Sequence, residues 1–266
     1  MEIQSLKLVC FSPTGTTKAV IQSIAKGVDL CPAELFDITK PEARDNLIET
    51  TGNELLIAAV PVYMGRVPAL INEWLNSIKA CKTPVVCVVV YGNRTFGNAL
   101  LELKDILTKT GCVPVAGAAF IGEHSFSSSE LPIAESRPDA GDLEQAEFFG
   151  RKIKEKLQSI PSIEKITELN IPGNYPYGGV TELWSVDFIA ISDKCTKQGI
   201  CAEVCPTGAI DFENTNIIDK EKCISCCACI KKCPENARTI KESKVKEASV
   251  RLHNLYQEPK MPEVFY

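Results

Sequence analysis

The stretch from Cys195 to Pro234 constrains this chain more than any other. It holds Cys195, Cys201 and Cys205-Pro206, then Cys223, Cys226, Cys229 and Cys233-Pro234. The later set fits C-x2-C-x2-C-x3-C-P, a spacing whose thiolates hold iron–sulfur clusters. The earlier set repeats it at an offset of 28 residues, from 195 to 223, 201 to 229 and 205 to 233. Both halves continue as Cys-Pro-x-x-Ala, at Cys205–Ala209 and Cys233–Ala237, so the stretch is an internal duplication. Iron in such clusters takes soft thiolate ligands. Zinc is the main rival for closely spaced Cys, but zinc sites usually draw four ligands from two pairs. Three close Cys and a distal Cys-Pro, twice over, do not fit that pattern.

In two-cluster runs of this type the fourth Cys ligates the other cluster. One cluster then has a full set in Cys223, Cys226, Cys229 and Cys205. The other has only Cys195, Cys201 and Cys233, because Gln198 stands where the spacing calls for a Cys. The region resembles two-cluster ferredoxins. Its three-thiolate set resembles those that hold [3Fe–4S] in seven-iron ferredoxins. A [4Fe–4S] cluster with a non-Cys fourth ligand and an empty second site are the alternatives. Cys227 is off the shared register and is not expected to be a ligand.

The remaining Cys are Cys10, Cys31, Cys81, Cys87, Cys112 and Cys227. Most sit in apolar runs and read as inert core thiols rather than bridges, which points to the reducing cytoplasm. Met1 to Ser5 lacks a basic n-region and an apolar h-region, so no secretory signal is expected. No apolar stretch is long enough to suggest a membrane span. The net charge of −5 offers no basic footprint for nucleic acid.

The first part of the chain alternates strand and helix patterns. Leu6 to Phe11 reads as a strand, followed at once by Ser12-Pro13-Thr14-Gly15-Thr16-Thr17 and a helical pattern through Val20, Ile21 and Ile24. A strand, a hydroxyl-rich Gly loop and a helix start make an anion site, where N–H groups and the helix dipole face the ligand. The loop lacks the Walker A pattern and the dinucleotide fingerprint. It contains no cation, so a phosphate would be held by N–H groups and the hydroxyls of Ser12, Thr14, Thr16 and Thr17. An ordinary N-capped turn is the plainer reading of the loop taken alone.

Four more strands are expected at Ala33–Ile38, Glu54–Val62, Val85–Tyr91 and Val113–Ile121, and a closing helix over Leu143–Leu157. Near-continuous apolar runs are those of parallel strands buried on both faces. The alternation predicts a doubly wound parallel sheet, with ligands at the carboxyl ends near the switch point; 2-1-3-4-5 is the order of the flavodoxin-like type of such sheets. The loops at 12–17, 61–66 and 91–97 all fall at that edge. Trp74 lies on an apolar helical stripe and reads as core.

Residues 1–158 resemble a flavodoxin-like domain, whose S/T-x-T-G-x-T phosphate loop is matched by Ser12, Thr14, Gly15 and Thr17. The resemblance implies FMN. It places Pro61, Val62, Tyr63, Met64 and Gly65 beside the isoalloxazine, together with Tyr91, Gly92, Asn93 and Phe96. Tyr63 is the aromatic expected against the ring, with Phe96 second. Residues 159–185 read as a linker or strap, 186–242 as an α+β two-cluster ferredoxin-like domain and 243–266 as a tail with helical potential at Ala248–Leu255. The whole chain resembles flavodoxin–ferredoxin fusions, found mostly in anaerobic bacteria and archaea.

Clusters carry one electron each and a flavin one or two, so a chain with both converts between the regimes. The favoured expectation is an electron carrier that works with redox partner proteins. A flavin-dependent reductase of a small acceptor and a redox sensor are the alternatives. No acid–base dyad is visible. His124 either donates to the flavin or a substrate, or fixes the long loop 122–141, which also suits a partner-facing role. The loop-fixing reading is favoured.

Overall fold

The computed structural model describes residues 1–179 and 185–266. Strands β1 (Ser5–Cys10), β2 (Ala33–Asp37), β3 (Glu54–Pro61), β4 (Thr83–Tyr91) and β5 (Cys112–Ile121) form one sheet. Helices α1 (Thr16–Val28), α2 (Ala69–Asn76), α3 (Ala99–Lys109) and α4 (Ala140–Ser159) cover it. Strand side chains alternate between two cores. Val9, Ala58, Val60, Cys87 and Val89 join the α2–α3 side with Ile71 and Leu103. Leu8, Cys10, Ile57, Ala59, Val86 and Val88 join the α1–α4 side with Ile24 and Phe149. Both alternating sets are apolar because both faces are covered. Trp74 lies in the first core and donates its indole N–H to the Asn46 carbonyl at 3.0 Å.

The first five strands are parallel and ordered β2-β1-β3-β4-β5. One expectation is corrected here. The sheet has six strands, because β8 (Glu263–Phe265) from the chain's end pairs antiparallel with β5, Val264 opposite Ala118 and Phe265 opposite Gly117. Without it β5 would present an unpaired edge, which proteins generally cover. On the α1–α4 side the helices meet backbone to backbone. A Cβ on Gly27 would stand 1.9 Å from the Glu147 carbonyl oxygen, and one on Gly150 2.1 Å from that of Ile24.

Most of the non-cluster Cys are core thiols, as expected. Cys10, Cys87, Cys112 and Cys227 are buried, whereas Cys31 and Cys81 are exposed, since both fall in bends outside the strands. All thirteen Cys are unpaired.

After α4 the chain crosses the α3 side as a strap. Leu169 and Ile171 enter the core, Asn174 N–H bonds Asn98, and the Tyr177 hydroxyl donates to Asp105 at 2.6 Å. The strap expected over 159–185 is thus described as far as Gly179; residues 180–184 lie outside the described residues.

The duplicated Cys region is built on a small antiparallel pair, β6 (Ile189–Ile191) with β7 (Arg238–Ile240), and two short helices, α5 (Ile200–Glu203) and α6 (Ala228–Lys231). The sequence repeat is also a backbone repeat. Left-handed residues recur at the same offset, Lys197 (φ 58°) with Ser225 (φ 52°) and Gly199 (φ 80°) with Cys227 (φ 57°). Each Cys-Pro-x-x-Ala makes the same bond, Ala209 N–H to Cys205 Sγ at 3.3 Å and Ala237 N–H to Cys233 Sγ at 3.4 Å.

This region and α7 (Lys244–Leu255) dock on the loop 122–141. Lys231 pairs with Glu123 and donates to the Ser127 carbonyl; the Ser249 hydroxyl donates to the Phe126 carbonyl and His253 bonds that of Pro132. The long loop therefore has an intramolecular partner. Among the described residues no helix is long and apolar enough to cross a membrane.

Candidate functional site

At the carboxyl edge of the sheet a cavity of about 380 Å³ opens beyond the ends of β1, β3, β4 and β5, the edge at which doubly wound sheets bind ligands. Thr14, Thr16 and Thr17 line one end. Gly15 caps α1 at φ 100°, a conformation that favours glycine, and has no side chain to bond the first turn. The first N–H groups of α1 have no intrahelical partner; Ser12 Oγ takes that of Lys18, which leaves those of Thr16 and Thr17 for a ligand. Thr17 is 1% exposed and its Oγ1 has no hydrogen-bond partner among the described residues. A buried hydroxyl without a partner in this cradle is what a phosphate oxygen would satisfy. The residues present fit an anion.

Ser12 lies behind the loop. Its hydroxyl accepts the Lys18 N–H at 3.0 Å and its own N–H bonds Thr39. Gly15 shapes the loop without lining the cavity.

Pro61, Val62, Tyr63, Met64 and Gly65 form a wall. Tyr63 and Arg66 exchange backbone bonds at 3.0 Å around Met64 (φ 53°) and Gly65 (φ 81°), the two left-handed residues of a type I′ turn. Buried Glu102 of α3 fixes the turn. It takes two bonds from Arg66, at 2.7 and 2.8 Å, and one from the Val67 N–H at 2.9 Å. Burial, then the neighbouring Cys226 and Cys227, push the Tyr63 phenol well above its ordinary pKa.

Tyr91 and Gly92 line the next wall. Asn93 and Phe96 do not. Asn93 is 2% exposed and turns toward the tail, donating to the carbonyls of Tyr256 and Glu258 and accepting from the Lys260 N–H. Phe96 joins the core, edge-on to Tyr91 at 5.8 Å. Of the two aromatics expected at the ring, Tyr63 lines the cavity and Phe96 packs beneath its wall.

His124 is also on the wall, its ring lying against Gly92, where an added Cβ would stand 2.3 Å from Cδ2. Nδ1 accepts the Phe126 N–H at 3.0 Å, a bond within the loop 122–141. The neutral ring then carries its proton on Nε2. Burial, with help from Lys231 and Arg94, lowers its pKa from 6.5 to about 4. The unfolded chain therefore takes up a proton that the folded chain refuses between those values. Stability from this group is complete above the unfolded pKa and is lost as pH falls toward 4. Moving from about pH 7 to about pH 5 should cost wild type about 2 kcal/mol more than His124→Gln. Urea unfolding of both proteins at the two pH values checks this; parallel losses would contradict it.

The remaining wall comes from outside the sheet domain. Gly178 and Gly179 of the strap, Ile224 and Ser225 of the Cys region, and Ala248, Arg251 and Leu252 of α7 close the cavity. No local pattern marked these residues, because their role arises from docking.

The two Cys sets separate in space. Cys205, Cys223, Cys226 and Cys229 line one small cavity of about 20 Å³ with apolar walls from Phe188, Ile189, Ile210 and Ile218. Cys195, Cys201 and Cys233 line another of about 30 Å³, together with Gln198 and Arg238. Among the described residues no group of His, Cys, Asp or Glu closes around a single metal ion. Burial pushes the Cys229 thiol up to about 12, a site where ionisation requires a cation, as iron supplies to a coordinating thiol. Arg238 is 2% exposed, and its Nη1 has no partner among the described residues. That buried positive group suits an anionic thiolate-bound cluster. Cys227 is buried and also lines the cavity of the four-Cys set, with its Sγ 3.7 Å from the Ser225 carbonyl oxygen.

Residues 216–239 match the 4Fe-4S binding domain family. With that match beside the sheet order and the thiol sets, the architecture is decided. The chain joins a flavodoxin-like domain to a ferredoxin-like 4Fe-4S domain. A selenate reductase subunit from Mesobacillus selenatarsenatis is 25% identical over 183 residues, 52% of this chain and 63% of that protein. This chain thus spans less than two thirds of that relative's length. A flavodoxin from the domain Archaea is 15% identical at a TM-score of 0.40, covering 58% of this chain and 99% of its own. The FMN-bound flavodoxin of Fusobacterium nucleatum is 18% identical at a TM-score of 0.36, covering 59% and 97%. An NADH:FMN oxidoreductase is 16% identical at 0.42, covering 59% and 92%. At these scores the flavodoxin-like reading rests on strand order and the loops at the switch point rather than on the likenesses.

Proposed function

We propose that the chain is an electron carrier that holds FMN in the large cavity and two iron–sulfur clusters in the Cys region, moving electrons between them and a redox partner protein in the cytoplasm. On this reading residues 1–158 serve the flavin and 186–242 the clusters, with 159–185 as strap and 243–266 as tail. FMN supplies one- or two-electron chemistry when bound. Thr14, Thr16, Thr17 and the α1 N-terminus would hold its phosphate, with Tyr63 and Tyr91 beside its ring. Cys205, Cys223, Cys226 and Cys229 would hold one cluster. Cys195, Cys201 and Cys233 would hold the other.

One observation carries the reading. Ile224, between Cys223 and Cys226, lines both the large cavity and the cavity of the four-Cys set. The walls of the two proposed redox sites therefore share a side chain. Of the wall groups suited to acid–base work, Glu123 is paired with Lys231 and His124 is held neutral. That pairing favours electron transfer over proton-coupled substrate chemistry.

The test is anaerobic purification with flavin and iron analysis, followed by reduction of the clusters and spectral monitoring of the flavin. Stoichiometric FMN, reduced through the clusters and reoxidised by a protein acceptor, is the expected result. Thr14→Ala with Thr17→Ala should release FMN and leave cluster absorbance intact. Stoichiometric FAD, or unchanged FMN affinity in that double variant, would refute the flavin assignment. Rapid turnover of a small acceptor without a partner protein would favour the reductase reading.

A further inference from the structure

The anion loop at 12–17 carries no cation of its own, and Lys18, the nearest in sequence, is committed to Asp37 at 2.9 Å. A positive charge reaches the loop from elsewhere. A Cβ built on Gly15 would lie 3.3 Å from the Nζ of Lys232, among the described residues the only atom within 4 Å of that point once Gly15 and its chain neighbours are set aside. Lys232 follows α6, between Cys229 and Cys233 in the ferredoxin-like half. Its neighbour Lys231 is tied to Glu123 and the Ser127 carbonyl. Lys232 has no carboxylate within salt-bridge distance among the described residues.

Three independent features thus gather on the one loop. They are the N-terminus of α1, where Ser12 takes the Lys18 N–H and leaves those of Thr16 and Thr17, the buried Thr17 hydroxyl, to which the described residues supply no partner, and an ammonium delivered to Gly15 by the other domain. Each favours an anion, the first through N–H groups and the helix dipole and the last through charge.

We propose that Lys232 is the phosphate-binding cation of the flavin site, supplied in trans by the ferredoxin-like domain. The inference rests on the flavin reading above and adds a residue that belongs to neither the loop nor its domain. The docked ferredoxin-like half then completes the flavin site, and the anchor of Lys231 on Glu123 sets the height at which Lys232 reaches Gly15. Retention of the phosphorylated flavin becomes a property of the assembled chain.

Lys232 acts on the phosphate alone, which gives a test independent of electron transfer. The full iron-loaded chain is stripped of flavin and titrated with FMN and with riboflavin, followed by quenching of flavin fluorescence. Lys232 is exposed, so Lys232→Met should weaken FMN about fivefold, the size of a lost surface ion pair, and leave riboflavin unchanged. Lys232→Arg should keep most of the FMN affinity, and added salt should narrow the gap between wild type and Lys232→Met. Unchanged cluster absorbance in each variant shows that the domain is intact. Equal loss of FMN and riboflavin, or no loss of either, overturns the role of Lys232. If wild type binds neither flavin, the flavin reading itself falls, and the inference with it.

Discussion

Replacing Cys205 by Ser should remove about four irons per chain and leave the second centre in place, even though Cys205 belongs to the first half of the repeat. The structure sets Cys205 against Cys223, Cys226 and Cys229, across the duplication, and sets Cys233 against Cys195 and Cys201. Each of these distal Cys accepts an N–H bond from the Ala four residues on, so each sulfur is prepared for negative charge before iron arrives. Cys201→Ser should have the complementary effect and remove only the other centre. Iron analysis with absorbance and paramagnetic resonance of the two variants distinguishes the centres. The flavin consequence differs as well. The set containing Cys205 shares Ile224 with the large cavity, so Cys205→Ser should stop reduction of FMN through the clusters while FMN stays bound. Loss of the same centre in both variants would show that the ligands do not cross.

Most of this arrangement was legible in the chain because local pattern and global fold agree. Leu55 to Val60 and Val85 to Val90 read as strands buried on both faces, and alternate residues of each do enter opposite cores. The thiol spacing was equally direct, since the repeat in sequence is a repeat in φ. What escaped was produced by docking. Pro262-Glu263-Val264-Phe265 has too little pattern to announce a strand; the bare edge of β5 recruits it. Asn93 and Phe96 sit in a loop whose position at the sheet edge was clear. Which of its side chains face the cavity was decided by the tail, which captures Asn93, and by the core, which takes Phe96. Ile224, Ser225, Arg251 and Lys232 carry no local mark of a flavin site at all. Their placement follows from bonds such as Lys231 to Ser127 and Ser249 to Phe126, between residues more than a hundred positions apart.

Gln198 is where the duplication breaks, and the surroundings of that break support a strong prediction. Gln198 is exposed, and its amide's polar partner is Glu235 at 3.5 Å. A neutral hard-oxygen donor is a poor substitute for thiolate on iron, and here it stands at an open corner. The iron at that corner should be labile, so protein handled in air is expected to hold about seven irons and show the paramagnetic signal of oxidised [3Fe–4S]. Gln198→Cys should supply the fourth thiolate, raise the count to about eight and abolish the oxidised signal. It should also lower that centre's potential, because a thiolate adds negative charge to the cluster. Arg238 tempers the shift. Its buried guanidinium lines the same cavity with Nη1 unpartnered among the described residues, and an adjacent positive charge favours the more negative, reduced state. Arg238→Met in the Gln198→Cys background should therefore drive the potential lower still, as read by a titration monitored through paramagnetic resonance of the reduced cluster. Eight irons and no oxidised signal in aerobically handled wild type would sink the three-iron assignment. Gln198 or water would then complete the corner, and the substitution would change the potential without changing the iron count.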